Sequence, residues 1–197
     1  ISNLKKSFGE TCACDIPFLN ISKGEIIGLV GNNGAGKTTL FRLILDLLKA
    51  DEGHVELNGI RVEQSEEWKH FTSAFIDNGF LIDFLTPEEY LLFVNKISGM
   101  KSDNVDEMAK RFEYFTGGEV FGRKTLIRNL SAGNKQKVGI ISTLITSPEL
   151  IILDEPFNFL DPTSQNTLKH IIEDYNRETG ATILISSHNL THTVDIS

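Results

Sequence analysis

A phosphate-binding loop is the clearest chemical feature of the sequence. Residues 31–39 read Gly-Asn-Asn-Gly-Ala-Gly-Lys-Thr-Thr, which matches the pattern G-x-x-x-x-G-K-T. In this pattern backbone N–H groups surround the phosphates of a nucleoside triphosphate, Lys37 reaches the β- and γ-phosphates, and Thr38 supplies a hydroxyl to Mg²⁺. The predicted nucleotide-binding residues are Asn32, Asn33, Gly34, Ala35, Gly36, Lys37, Thr38 and Thr39.

The residues on both sides of this loop predict the elements that it needs. Apolar residues within 26–30 predict a buried strand, and apolar residues at helical spacing from Leu40 to Leu48 predict a helix. The loop would then open onto a helix N-terminus, whose dipole favours an anion. The alternative is a glycine-rich turn between a strand and a helix that binds no ligand.

Two adjacent carboxylates follow a second predicted strand. Residues 150–153 are all apolar, and Asp154 and Glu155 come directly after them. This is typical of a buried parallel strand that ends at the ligand-binding edge of an α/β sheet. We expect Asp154 to hold Mg²⁺, directly or through water, and Glu155 to polarise the attacking water. The alternative is a strand followed by an ordinary acidic turn.

A third motif lies between these two. Residues 130–136 read Leu-Ser-Ala-Gly-Asn-Lys-Gln and precede an apolar helical stretch, 138–145. Here the chain resembles the ATPase subunit of an ATP-binding cassette (ABC) transporter, whose signature is L-S-G-G-Q. The chain has Ala132 in place of the first Gly and Asn134 in place of the Gln. Read from the residues alone, this is an anion site at a helix N-terminus, or simply a capped helix start.

The resemblance implies how this third motif is used. One nucleotide does not need two anion sites from one chain. In the family, the signature of one subunit closes over the γ-phosphate held by the phosphate loop of another, in a head-to-tail dimer. The residues that would contact the nucleotide of the partner are Ser131, Ala132, Gly133 and Asn134.

Three further positions match the family by their order along the chain, and a fourth departs from its pattern. The resemblance implies that Phe8 stacks on adenine, that Asp161 touches the partner subunit near its phosphate loop, and that His188 contacts the γ-phosphate and helps to hold the water. Otherwise these residues would be an apolar contact, a turn before a helix and a solvated loop histidine. The family usually has a Gln that senses Mg²⁺ at the position of Asp77, or of Asn78 if the alignment shifts by one residue.

Composition limits the classes of function. The chain has 197 residues, 40% of them hydrophobic and 23% charged, as in a soluble globular protein. No apolar run is long enough to span a bilayer, so a transporter would need a separate membrane subunit. With 19 Lys and Arg against 27 Asp and Glu, the net charge is −8, which disfavours nucleic acid as a partner. Cys12 and Cys14 are expected to pack as small apolar residues of an early strand.

These motifs predict an α/β fold: a P-loop NTPase core with a parallel sheet, an N-terminal antiparallel β region and an inserted helical subdomain. The core would comprise residues 1–76 and 148–197, with an incomplete C-terminal end, and the subdomain residues 77–147. Helical spacing predicts subdomain helices at Pro87–Gly99 and Asp103–Phe115, broken afterwards at Gly117 and Gly118. Five aromatic residues are expected in the core or in subdomain packing: Trp68, Phe71, Phe80, Phe84 and Phe121.

The sequence as a whole is interpreted as the ATP-binding and ATP-hydrolysing subunit of an ABC transporter. The resemblance implies ATP and Mg²⁺ as cofactors, a transmembrane permease subunit, and a second nucleotide-binding subunit in a homo- or heterodimer. It also implies a cytoplasmic location, peripheral on the cytoplasmic face of the membrane. The alternatives are a soluble ABC ATPase that moves no solute, and a degenerate nucleotide-binding partner in a heterodimer.

Overall fold

A parallel four-stranded sheet forms the centre of the computed structural model, which describes residues 1–99 and 105–189. The strands are β3 (Ile26–Val30), β7 (Thr72–Phe75), β8 (Leu150–Leu153) and β9 (Thr182–Ser187), in the order β3-β9-β8-β7. All neighbouring pairs are parallel, and Phe75, Leu153 and Ile185 stand in one row. The carboxyl ends of these strands therefore lie at one edge of the sheet.

Both faces of this sheet are covered, as expected for parallel strands with continuous apolar sequences. Every residue of β8 is buried. Ile151 and Leu153 belong to a core cluster with the helices α5 (Ala132–Leu144) and α6 (Pro162–Thr179), whereas Leu150 and Ile152 pack in a second cluster with α1 (Lys37–Ile44). The period-two alternation of β8 thus joins two cores through one sheet.

The N-terminal part of the chain forms the predicted antiparallel β region. Strands β1 (Ser2–Phe8) and β2 (Thr11–Phe18) form a hairpin, and β4 (Glu52–His54) pairs with the other edge of β1. A small hairpin of β5 (Glu56–Leu57) and β6 (Ile60–Arg61) follows, with Asn58 and Gly59 at positive φ in its turn. The two predicted core cysteines differ, because Cys14 is buried but Cys12 is exposed.

The predicted subdomain helices are only partly right. Helix α2 (Pro87–Ile97) begins where expected, with Thr86 and Glu89 in a capping box. The second predicted helix is two short helices, α3 (Val105–Arg111) and α4 (Glu113–Thr116), since the backbone leaves the helical conformation at Phe112, with φ of −107° and ψ of 12°. Its predicted start at Asp103 lies outside the described residues. Gly117 and Gly118, both at positive φ, end this region as predicted.

Other sequence-based predictions need correction at the residue level. Helix α1 ends at Ile44 and does not continue to Leu48, because Asp46 adopts a left-handed φ of 50°. Trp68 is buried as predicted, but Phe80 and Phe84 are 56% and 71% exposed, so placing them in the core or in subdomain packing was wrong. Within the described ranges, none of the helices combines the length and apolar character that a membrane crossing requires. The division into a core and an inserted subdomain stays a prediction.

Candidate functional site

The phosphate loop, residues 31–36, connects β3 to α1 at the carboxyl edge of the sheet. Gly34 and Gly36 have left-handed φ values of 85° and 88°, a conformation that suits glycine. Gly36 also lies directly against β2, since a Cβ atom there would overlap the carbonyl oxygen of Ala13. The loop therefore needs glycine at position 36 for its backbone conformation and for its packing.

Lys37 is the first residue of α1 and is buried, with 7% of its surface exposed. Its Nζ donates hydrogen bonds to the carbonyl oxygens of Gly31 (2.6 Å) and Asn32 (3.2 Å). It also lies 3.2 Å from Glu155 Oε1. The ammonium group is thus held inside the loop, where the sequence pattern places phosphate.

Asp154 follows β8 and joins three elements. Its Oδ2 accepts a hydrogen bond from the hydroxyl of Thr38 at 2.5 Å, and its Oδ1 accepts a short one from the hydroxyl of Ser186. Its side chain is buried. Among the described residues, no cluster of three or more His, Cys, Asp or Glu could hold a metal ion alone. A hydroxyl beside a carboxylate nevertheless fits Mg²⁺, which typically takes one or two protein ligands together with phosphate and water.

Glu155 occupies an unusual backbone conformation beside Asp154. Its φ of 48° is left-handed, and its N–H donates to Ser186 Oγ at 2.8 Å. Its Oε2 accepts from the backbone N–H of His188 at 3.2 Å and lies 2.8 Å from His188 Nδ1. Its buried Oε1 makes the ion pair with Lys37 but no aligned hydrogen bond to any residue that the structure describes. This carboxylate is therefore oriented by neighbours on both sides and keeps one oxygen available as an acceptor.

The signature residues form the first turn of α5. Ser131 is the N-cap, and its hydroxyl accepts from the N–H of Asn134 at 3.2 Å. Ser131 and Ala132 are exposed. A Cβ atom on Gly133 would lie 2.7 Å from the carbonyl oxygen of Phe159, so this position also needs glycine. Across the described ranges, the hydrogen bonds of residues 131–134 stay within α5 or reach Glu119, and none goes to the phosphate loop.

The remaining predicted residues lie outside this network. Phe8, 53% exposed, ends β1, and Lys6 Nζ is 5.7 Å from the centre of its ring. Asp161 caps α6 by accepting from the N–H (3.0 Å) and the hydroxyl (2.5 Å) of Ser164. The bond from that hydroxyl is the main reason that the pKa of the Asp161 carboxyl lies below its ordinary value.

Asp77 lies just beyond β7, at the same sheet edge as Asp154. Its Oδ1 accepts from the N–H of Gly79 at 2.6 Å, and its Oδ2 lies 3.7 Å from the guanidinium of Arg42 on α1. Its carboxylate therefore contacts a turn and α1. The carboxylate that contacts the predicted Mg²⁺ ligand Thr38 is that of Asp154. The assignment of Asp77 as a metal-sensing residue stays a prediction.

The structure joins Lys37, Thr38, Asp154, Glu155 and His188 through direct contacts, and it adds two residues that the sequence had not singled out. Ser186 is fully buried and bridges the carboxylate of Asp154 and the N–H of Glu155. Gln136 donates from Nε2 to the carbonyl oxygen of Glu155 at 3.2 Å. The signal for Ser186 in the sequence was a polar residue at the end of an apolar strand. Gln136 ends the third motif, and nothing in the sequence indicated that it would contact Glu155.

Comparisons with known proteins agree with this geometry. A family model described as "ABC transporter" matches residues 16–158. The ATP-binding protein YhaQ of Bacillus subtilis is 34% identical over all of this chain, which spans 64% of that relative's length. The tungstate uptake system ATP-binding protein TupC of Peptoclostridium acidaminophilum is 34% identical over 96% of this chain and 86% of its own.

Solved structures give the same result at the level of the fold. A structure of the ATP-binding subunit of an ABC transporter has a TM-score of 0.83 and 27% identity, and the alignment covers 99% of this chain and 81% of that one. A nucleotide-free ATP-binding cassette from an ABC transporter has a TM-score of 0.78 and 26% identity, covering 99% and 83%. The fold is therefore the α/β fold of P-loop NTPases, and the chain belongs to the ABC transporter family, among its ATP-binding proteins.

Proposed function

We propose that this chain binds Mg-ATP and hydrolyses it with activated water, as a nucleotide-binding subunit of an ABC transporter. The observation that carries the proposal is the connected network at the sheet edge. It links the phosphate-loop lysine to Glu155 and His188, and the phosphate-loop threonine to Asp154. Thr38 and Asp154 would hold Mg²⁺, which supplies positive charge to the phosphates.

Glu155 is the group that we assign to orient and polarise the attacking water. Its Oε2 is fixed by His188, and its Oε1 lies 3.2 Å from the Lys37 ammonium. A γ-phosphate bound by Lys37 would compete with this ion pair and leave Oε1 to accept a proton from water. His188, directly after the strand that carries Ser186, contacts the carboxylate, and we assign it to contact the γ-phosphate as well.

The exposed start of α5 supports a dimer. Ser131 and Ala132 present a helix N-terminus to solvent, and the phosphate loop of the same chain is already complete. An anion at this second N-terminus would come from a nucleotide bound to a second subunit, with Asp161 near the same contact. Two copies arranged head to tail would use both anion sites of each chain.

An exposed apolar surface supports a membrane partner. A groove of about 320 Å³ is lined by Leu45, Leu47, Trp68, Ile76 and Phe80, among others. Leu47 and Phe80 in this lining are 55% and 56% exposed. Clusters of exposed apolar side chains mark interaction sites. We assign this surface, which has no role in binding phosphate, to a permease, and the chain to the cytoplasmic face of the membrane. The net charge of −8 argues against nucleic acid.

The proposal is tested with the native full-length protein. ATP hydrolysis is measured with Mg²⁺ and with EDTA, with and without the membrane protein that copurifies with it. We expect hydrolysis that requires Mg²⁺ and is lost in Lys37→Ala, because Lys37 is a buried cation that contacts the phosphate loop directly. Lys23→Ala, which removes a surface ion pair to Glu149, is the matched control. The absence of hydrolysis in the complete complex would refute the enzyme assignment, and copurification with ribosomes or DNA alone would refute the transporter assignment.

A further inference from the structure

Gln136 places a buried amide between α5, the helix that begins with the signature residues 131–134, and the loop after β8 that carries Glu155. It lies in the second turn of α5, and only 4% of its surface is exposed. Its Nε2 donates to the carbonyl oxygen of Glu155 at 3.2 Å. A polar side chain is costly to bury without such a partner, so this bond accounts for an amide in the core. The acceptor belongs to the backbone of the very residue that carries the proposed catalytic carboxylate.

The backbone of Glu155 needs external support. Its left-handed φ of 48° is unfavourable for a residue other than glycine, so surrounding contacts must hold it there. Three hydrogen bonds do so. The N–H donates to Ser186 Oγ, and the carbonyl oxygen accepts from Gln136 and from the N–H of Asn158 at 3.1 Å. Of these three partners, only Gln136 belongs to a helix that begins at the signature.

The same helix touches this loop at a second point. Gly133, in the first turn of α5, packs so closely on Phe159 that its missing Cβ atom would lie 2.7 Å from the carbonyl oxygen. Phe159 is itself left-handed, with φ of 64°. The first two turns of α5 are therefore fixed to both ends of the segment 155–159, since Gln136 bonds Glu155 and Gly133 packs on Phe159. A shift of the exposed first turn of α5 would move this segment with it.

We infer that Gln136 is a positioning residue for Glu155, and that through it the two nucleotide sites of a dimer are coupled. The start of α5 contacts the nucleotide held by the partner subunit, whereas Glu155 acts on the nucleotide held by its own chain. Gln136 joins these two groups within one chain by a direct hydrogen bond. When the start of α5 closes over the nucleotide of the partner subunit, Gln136 thereby fixes the position of Glu155 at the nucleotide of its own chain. This inference rests on the proposed head-to-tail dimer.

The first test compares two glutamines that bond the same loop. Gln136→Met keeps the length of the side chain and removes the donor. Gln165→Met is the matched control, because Gln165 on α6 donates to the carbonyl oxygens of Phe157 and Leu160, both at 3.2 Å. We expect Gln136→Met to lower kcat about 10- to 100-fold, as a displaced catalytic group does, with the KM for ATP unchanged. Gln165→Met should keep kcat near that of the parent.

Equal effects of the two substitutions on kcat would overturn the inference, because they would indicate general loosening of the loop. So would an unchanged kcat in Gln136→Met while Glu155→Gln is inactive, a result that would leave the proposed function intact. If Glu155→Gln itself is as active as the parent, the proposed function fails instead. If Gln136→Met does not fold, Gln136→Asn takes its place, since it keeps the amide but withdraws it by one methylene.

The second test places the substitution on a chosen subunit of a mixed dimer. One subunit carries Glu155→Gln, so that both subunits bind ATP but only the other can hydrolyse it. Gln136→Met on the subunit with intact Glu155 alters the chain whose Glu155 serves the working site, and there we expect the loss of kcat. On the Glu155→Gln subunit it alters the chain that supplies only the signature to the working site, and there we expect the kcat of the unmodified mixed dimer. Equal loss in both placements, or loss only in the second, would show that Gln136 merely supports the signature.

Discussion

Replacing Glu155 by Gln separates binding from chemistry at this site. The change keeps the length of the side chain and the acceptor near His188 but removes the negative charge. Lys37 then loses an ion pair at 3.2 Å, whose gross attraction is about 5 kcal/mol at an effective dielectric constant of about 20. Desolvation offsets much of this attraction. Because the Lys37 ammonium keeps its two carbonyl acceptors, we expect a loss of about 1–3 kcal/mol in the free energy of unfolding.

The effect on chemistry should be larger than the effect on stability. Loss of a positioned general base typically slows a reaction about 10²- to 10⁴-fold. This range corresponds to about 3–5 kcal/mol in the activation free energy. ATP affinity should not fall, because Thr38, Asp154 and the loop N–H groups are unchanged. A dimer that hydrolysis normally separates should therefore persist in the variant.

The assay combines single-turnover hydrolysis with gel filtration in ATP and Mg²⁺. We expect Glu155→Gln to elute as a dimer and the parent mostly as a monomer. Glu149→Gln is the matched control, because Glu149 also pairs with a lysine, Lys23 at 2.7 Å, but at the amino end of β8. Asp154→Asn should fail differently, through weaker Mg²⁺ binding. Hydrolysis by Glu155→Gln at the rate of the parent would refute the assignment of Glu155 as the catalytic carboxylate.

Three further substitutions test other parts of the site. Ser131→Arg should block ATP-driven dimerisation, seen by gel filtration, while ATP binding by the monomer is retained; unimpaired dimerisation would exclude Ser131 from the contact. Asp77→Gln should leave ATP affinity nearly unchanged and alter the hydrolysis rate or its stimulation by the membrane partner, whereas a loss of stability with normal turnover would make Asp77 a structural turn residue. Gly36→Ala should lower the free energy of unfolding by about 1–3 kcal/mol, measured with urea, and weaken ATP binding, because its Cβ atom would overlap the carbonyl oxygen of Ala13. A variant as stable as the parent would contradict the close packing of β2 on the loop.

The parts of the site that the sequence predicted are those that a short segment specifies by itself. The phosphate loop needs glycines at fixed offsets, and Lys37 and Thr38 follow them directly. Asp154 and Glu155 end an apolar run, and a parallel sheet brings such ends to one edge. Each of these predictions needs only local backbone conformation and the direction of one strand.

The parts that were missed depend on which strands and helices become neighbours. Ser186 reaches Asp154 because β8 and β9 pair with Leu153 opposite Ile185, a register that no local pattern contains. Gln136 meets Glu155 because α5 packs across β8. Exposure is also a tertiary property. Phe80 was therefore wrongly placed in the core or in subdomain packing, because an aromatic side chain is typical of buried positions.

The contacts of Lys37 connect the proposed binding of ATP to the availability of the Glu155 carboxylate as a proton acceptor. An ammonium group has three protons, and here its neighbours are two loop carbonyl oxygens and the Glu155 carboxylate. A γ-phosphate must displace one of them, and the ion pair without an aligned hydrogen bond is the one that gives way at least cost. The freed Oε1 is buried and holds no other hydrogen bond, whereas Oε2 stays fixed by the backbone N–H of His188. In the proposed function, binding of the phosphate to the lysine and presentation of the carboxylate to water would therefore be one event, and the carboxylate would become a strong acceptor only when there is a phosphate for the water to attack.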